Sequence, residues 1–184
     1  MGCNNSKIKA PNHPVEKVSW TECINFCNAL SNRDGLQVAY QKQGKQVIWD
    51  RSANGYRLPT EAEWAAAARG QTDHMFSGSN NVSTVAWYSG NSNGQPQPVA
   101  QKRPNQFGLY DMTGNVWEWC WDFYAPKAYH LPNRRDPVRD TGEKRVMRGS
   151  AWNQIESLSR VSIRSRGKEN DRFPTVGFRI ARSL

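Results

Sequence analysis

At 184 residues the chain is long enough for one domain with a sizeable core, and eight Trp, six Tyr and six Phe supply bulky apolar surface for it. A mean hydropathy of −0.83 means that long polar loops accompany that surface; this fits an irregular α+β domain, not a helical bundle, and no run nears the roughly 18 apolar residues of a membrane span. The formal net charge of +9 raises acidic ligands or nucleic acid as partners, but charges of both signs are interspersed, so nucleic acid is not expected, and four scattered Cys form neither a zinc pattern nor a disulfide framework.

In chain order, the opening MGCNNS fits the N-myristoylation pattern, with Ser6 in place and Cys3 as a second acyl site. It also resembles what remains below a bacterial lipobox. The stretch 19–30 reads as a helix: Ser19 and Glu22 form a capping box, and Trp20, Cys23, Ile24, Cys27 and Leu30 share one face. Cys23 and Cys27 lie one turn apart, but with no third ligand nearby they read as small core residues. Segments 37–40 and 46–49 flank Gly44 as an exposed hairpin. A second capped helix starts at Thr60 with Glu63 and runs to Gly70. Residues 71–104 are rich in Gly, Asn, Ser, Gln and Pro and read as long ordered loop, with 85–88 as an apolar patch.

The densest stretch is 105–122, NQFGLYDMTGNVWEWCWD. Trp117, Trp119, Trp121 and Phe123 alternate with Glu118, Cys120 and Asp122, a period-2 pattern that predicts a strand with one aromatic face and one smaller polar face. A Pro-rich loop at 125–143 follows, then three strands at 145–152, 160–166 and 176–182. No internal repeat is visible.

The string GLYDMTGNVWEW at 108–119 resembles the signature of the formylglycine-generating enzyme (sulfatase-modifying factor) family. The likeness extends to HPVEKVSW at 13–20, YRLPTEAEW at 56–64, RVMRGSAW at 145–152 and GFRIAR at 177–182. It implies an elaborated C-type lectin fold: α+β, two helices packed on short antiparallel sheets with long ordered loops, in a single domain over 1–184. In such relatives an M-G-x-N-x-S-like string lies inside the domain. The resemblance therefore implies that Met1 falls within an ancestral domain whose usual first strands and helix are missing.

The resemblance also implies a calcium site made by the Asp111 side chain, the Gly114 and Val116 carbonyls and the Glu118 side chain, oxygen donors of the kind a hard cation takes. The alternative is that Asp111 caps the turn and Glu118 pairs with an Arg. A second family calcium site would need an oxygen side chain where Val85 stands, so it is not expected. The family's oxidase converts a cysteine to formylglycine with copper(I), which demands soft thiolates. Its two cysteine positions hold Gln154 and Ser159 here, so no copper and no family catalysis are expected.

The C-terminal segment further resembles the variable proteins of diversity-generating retroelements, which use this fold. On that resemblance Gln154, Ile155, Ser157, Leu158, Ile163, Ser165, Gly167, Lys168, Asp171, Phe173, Pro174 and Thr175 are the ligand-contacting positions, displayed on one accessible face. Trp152, Arg160, Gly177 and Phe178 are expected to be buried or hydrogen-bonded scaffold. The implied partner is a protein or other macromolecule, met by a monomer. A plain non-catalytic ligand-binding member of the family is the other reading.

Overall fold

The computed structural model describes residues 4–44, 46–130 and 136–183. Residues 1–3 of the MGCNNS string (Cys3 among them), Lys45 of the hairpin turn and 131–135 of the Pro-rich loop lie outside them; Ser6 of that string is described and buried. Helix α1 spans Trp20–Arg33 and starts on the expected capping box: Ser19 Oγ accepts the Glu22 N–H, and the Glu22 carboxylate accepts the Ser19 N–H. These bonds satisfy two amides that have no partner inside the helix. Trp20, Cys23, Ile24, Cys27 and Leu30 are all buried, as the spacing predicts. Burial pushes both thiols up, Cys27 to about 12, so they pack as small apolar groups.

Strands β1 (Tyr40–Gln43) and β2 (Gln46–Trp49) form the hairpin. Its first strand starts later than expected because the Gln37 N–H goes to the Asn54 side chain. Strand β3 (Tyr56–Arg57) leads into α2 (Glu61–Arg69), which opens on the Thr60–Glu63 capping box and ends at Gly70 in the left-handed region, φ +56°. Residues 71–104 are mostly irregular, as expected, with one short helix, α3 (Val82–Val85), whose Val82 and Val85 close a small core with Phe76 and Ala86.

Strand β4 (Trp117–Phe123) is the centre of the molecule. It is flanked by β5 (Arg145–Arg148) and β7 (Val176–Phe178), and β6 (Arg164–Gly167) pairs outside β5, giving the order β6-β5-β4-β7. The final strand β8 (Ala181–Arg182) pairs with β3. All pairings are antiparallel except β4–β7, which is parallel because the chain crosses from β6 past β5 to the far side of β4. The expected strand at 145–152 ends at Arg148: Gly149 (φ +97°) and Ser150 (φ +70°) both turn left-handed.

The alternation along β4 sorts side chains between two cores. Trp117, Trp119 and Trp121 enter the main core with Trp20, Ile24, Tyr40 and Leu58. Cys120, on the other face, enters a second core with Trp64, Ala68, Val146 and Val161. The polar face is therefore buried too, under α2. Glu118 accepts from Trp64 Nε1 (2.6 Å), and Asp122 accepts from the Glu61 N–H (2.7 Å) and the Arg139 N–H (2.8 Å). Both Asp122 oxygens are thus taken by backbone donors.

Burial raises the Asp122 carboxyl to about 6, aided by the nearby Glu61 charge and opposed by the two amide bonds. A carboxyl raised in the folded state keeps its proton where the unfolded chain, near the usual 3.8, has lost it. Its contribution to stability is therefore greatest at acid pH and falls as pH rises from about 4 through 6. Comparing urea unfolding at the two ends of that window, wild type is expected to lose about 1–3 kcal/mol more than Asp122→Asn. Equal pH slopes for the two proteins would show that Asp122 does not titrate in the window.

Candidate ligand-binding site

The C-terminal segment leaves β5 at Gly149, where a Cβ would lie 3.1 Å from Trp64 Cζ2. From there the backbone is tied down repeatedly. The Gly149 carbonyl accepts from the Gly114 N–H (2.7 Å), Trp152 N–H donates to Asn115 O (2.8 Å), and the Gln154 carbonyl accepts from the Ser89 N–H (2.9 Å). Ser92 Oγ donates to the Trp152 carbonyl at 2.8 Å. A 3-10 turn at Glu156–Leu158 follows, closed by Ser159 Oγ on the Ile155 carbonyl (3.1 Å) and beside Ser150 Oγ (3.2 Å). Buried Arg148 then donates to the Val161 (2.9 Å) and Ile163 (2.5 Å) carbonyls. The loop has little regular structure, yet backbone hydrogen bonds tie it at intervals along its length.

That anchoring leaves side chains outside. Ile155 is 58% exposed and Leu158 42% exposed. Together with Met75, Phe76, Glu156, Ser157 and Arg160, Ile155 lines a shallow hollow of about 340 Å³. Met75, 43% exposed, was missed by the sequence reading. Its signal was an apolar Met-Phe pair in a polar loop, and the Val161 N–H bond to the Met75 carbonyl (2.9 Å) ties it to this segment. Asn115 was missed as well: its side chain exchanges two hydrogen bonds with the Gln97 backbone and so fixes the loop on which Ser89 and Ser92 sit.

The twelve expected contact positions do not form one accessible face. Gln154 is half-buried, and Ile155, Ser157 and Leu158 are exposed beside one another. Lys168, exposed, and Asp171, half-buried, instead line a different cleft that shares no residue with the first hollow. Pro174 is exposed, while Ser165 and Thr175 are half-buried, Thr175 giving its carbonyl to the Trp117 N–H. Ile163 and Phe173 pack against the main core. Gly167 is buried: a Cβ there would meet Trp119 Cη2 at 2.8 Å and Phe173 Cε2 at 3.0 Å. The turn after β6 folds back over Trp119, so alternate members of the segment are drawn inward. Of the expected scaffold residues, Gly177 is buried, while half-buried Trp152 and Phe178 and exposed Arg160 are each tied in through backbone hydrogen bonds. Of the two positions where the family enzyme has thiols, Gln154 has its Nε2 on Asn153 and Ser159 is 1% exposed.

The turn before β4 places the expected calcium donors unequally. Asp111, at φ +56°, accepts the Ala100 N–H on Oδ2 (2.8 Å), while its Oδ1 is buried with no hydrogen-bond partner among the described residues. Burial raises the Asp111 carboxyl, the Ala100 bond and Arg179 opposing. Glu118 is already engaged: Arg179 grips both oxygens (2.5 and 2.7 Å) and Trp64 Nε1 takes one of them. Asp111 Oδ1 is thus an oxygen donor without a partner, whereas both Glu118 oxygens are taken by the Arg179 guanidinium. Gly114 is required in this turn, since a Cβ would lie 2.2 Å from the Trp87 carbonyl oxygen.

Among the described residues no helix is long and apolar enough to cross a membrane. The family model described as sulfatase-modifying factor enzyme 1-like domain matches residues 1–184. A chaperone protein named LppX from Paenibacillus barcinonensis is 32% identical over 218 residues, covering 100% of this chain and 74% of that protein. The formylglycine-generating enzyme of Streptomyces coelicolor is 32% identical over 194 residues, covering 93% of this chain but only 53% of the enzyme. Among solved structures, Treponema denticola variable protein 1 matches with a TM-score of 0.91 at 32% identity, over 98% of this chain and 77% of that one.

Proposed function

The chain belongs to the sulfatase-modifying factor enzyme 1-like domain family, and within it we propose a non-catalytic ligand-binding protein that displays side chains from its C-terminal segment, 150–175. The observation that carries this reading is the anchored backbone of 149–163 with Ile155 and Leu158 turned outward. A loop held by its backbone tolerates changes in outward side chains, and its preorganisation reduces the ordering cost of binding. An apolar centre rimmed by Glu156, Ser157 and Arg160 has the make-up of a protein-contacting patch. The likeness to a variable protein supports the finer form of the proposal, in which these outward positions are the diversified ones of a retroelement. Sequencing of the surrounding locus tests it. A near-copy of the DNA encoding 150–175, differing at adenines beside a reverse transcriptase gene, supports diversification; its absence leaves the plain binding member.

Display and core make opposite demands on stability. Ile155→Ser and Leu158→Ser are each expected to change unfolding free energy by no more than about 0.5 kcal/mol. A loss above about 2 kcal/mol for either would place it in the core and remove the proposed surface. The oxidase reading rests on relatives named formylglycine-generating enzymes, and against it stand Gln154 and Ser159 at the thiol positions. Incubation with copper(I), oxygen and a cysteine-containing sulfatase peptide should leave the cysteine unchanged by mass spectrometry. Formylglycine above background overturns the binding reading.

Calcium at Asp111, with the Gly114 and Val116 carbonyls and Glu118, belongs to the same proposal. The orphaned Asp111 Oδ1 supports it and the Arg179–Glu118 pair opposes it. A cation bound by the folded state alone stabilises by mass action. The melting temperature is therefore expected to climb with calcium, and Asp111→Ala to abolish the climb. A melting temperature indifferent to both calcium and chelator removes the site.

A further inference from the structure

A cleft of about 910 Å³ lies away from the hollow at Ile155. One wall is β2 itself: Gln46, Val47, Ile48 and Trp49 all line it. Successive side chains of a strand point to opposite faces, so four consecutive lining residues mean that β2 meets the cleft edge-on. That edge is free. Among the described residues β2 pairs with β1 alone.

The register shows which groups it offers. Tyr40 exchanges two hydrogen bonds with the Asn28 side chain, its N–H donating at 3.2 Å and its carbonyl accepting at 2.7 Å. Its backbone groups therefore point away from β2, and the outer edge of β1 is covered there. In an antiparallel ladder the residue opposite such a position also turns its groups outward. That residue is Trp49, and Val47 two places back does the same. No described residue bonds the outward N–H and carbonyl groups of Val47 and Trp49. The strand QVIW is β-prone and uncharged, and Ile48 is 42% exposed. Proteins normally blunt such an edge with charge, proline or a bulge; this one leaves it open beside a cleft.

The chemistry of the other walls narrows the occupant. Gly142 lets the 140–143 turn close on Phe123, whose Cβ would lie 2.7 Å from a Gly142 Cβ. In a chain of net charge +9, the cleft carries four carboxylates against three cations. Arg51 is paired with Asp140 (2.8 Å), and Arg145 with Glu169 (2.8 Å). Asp171 accepts the Lys168 N–H. Glu143, exposed, has no ion pair among the described residues. The local charge is thus the reverse of the protein's, and of the two carboxylates without an ion pair among the described residues, Asp171 is held by a backbone N–H and Glu143 by nothing.

We propose that this cleft binds an extended peptide bearing a basic side chain, which adds as a third strand to the outer edge of β2 and pairs with Glu143. Four residues of β2 offer about 13 Å of edge, and main-chain bonds to Val47 and Trp49 supply affinity while the walls choose side chains. The proposal stands independently of display at Ile155 and Leu158.

The test is selection of a displayed library of random linear peptides on the full chain, followed by synthesis of the winners. Expected winners are rich in β-branched residues with a Lys or Arg. N-methylation at alternate backbone positions should weaken binding about five- to tenfold by removing one strand bond. Glu143→Gln should weaken it about two- to fivefold, and bound peptide should slow amide exchange at Val47 and Trp49. No winner, or winners indifferent to N-methylation, overturns the proposal. Winners lost in Ile155→Ser but kept in Glu143→Gln overturn it too, because they report the other hollow. A dimer that sedimentation shows to be broken by Ile48→Lys would assign the edge to a second copy of the chain instead.

Discussion

Glu61→Ala is expected to cost about 3–5 kcal/mol of stability, the loss typical when one partner of a buried ion pair is removed. Glu61 stands at the start of α2 with its side chain 7% exposed, and it faces two arginines. Arg164 grips it through Nε (2.6 Å) and Nη2 (2.7 Å), and Arg148 Nε lies 3.5 Å from Oε1. Truncation leaves two cations in the interior with no carboxylate between them. The consequence reaches the proposed binding surface, because Arg148 also holds the Val161 and Ile163 carbonyls. Amide exchange across 150–163 should therefore quicken in Glu61→Ala beyond what global destabilisation explains. Urea unfolding gives the first quantity, and a double-mutant cycle with Arg164→Met isolates the pair. A loss below about 1 kcal/mol would mean that solvent or another group neutralises the arginines.

Trp119→Ala is expected to be as severe, about 3–5 kcal/mol, and to differ sharply from Trp152→Ala. Trp119 is fully buried at the centre of β4, donates Nε1 to the Val18 carbonyl (2.9 Å), and lies directly beneath Gly167. Removing it leaves a large cavity where α1, β4 and the β6 turn meet, and rigid neighbours cannot collapse into it. Trp152 is half-buried and its buried Nε1 has no hydrogen-bond partner, so its loss should cost only about 1–2 kcal/mol. Thermal unfolding of the two variants separates them. Equal losses would show that the 149–163 loop carries core weight, which is incompatible with free variation of its side chains.

The two helices could be located from the sequence because their signals are local. Ser19 with Glu22, and Thr60 with Glu63, satisfy amides within one turn of themselves, so no distant residue is needed to place either start. The buried face of α1 and the alternation of β4 were equally legible, since the two periods follow from backbone geometry alone. What the alternation could not say was that both faces of β4 are buried. That required α2 to lie across Glu118, Cys120 and Asp122, a contact about 60 residues distant along the chain.

The candidate site shows the same division. Side-chain chemistry marked Ile155 and Leu158 as apolar residues among polar ones, and they do face outward. It could not separate them from Ile163 and Phe173, which have the same chemistry but pack inward, because burial there depends on the turn that folds back over Trp119. Glu118 was legible as a carboxylate in a turn before a strand; its capture by Arg179 was decided by the parallel placement of β7 against β4, which brings residues 61 positions apart into bidentate contact. The outer edge of β2 was beyond the sequence altogether, for a strand paired on one edge and a strand paired on both read alike. Only the arrangement of the remaining strands leaves Val47 and Trp49 with backbone groups facing an open cleft.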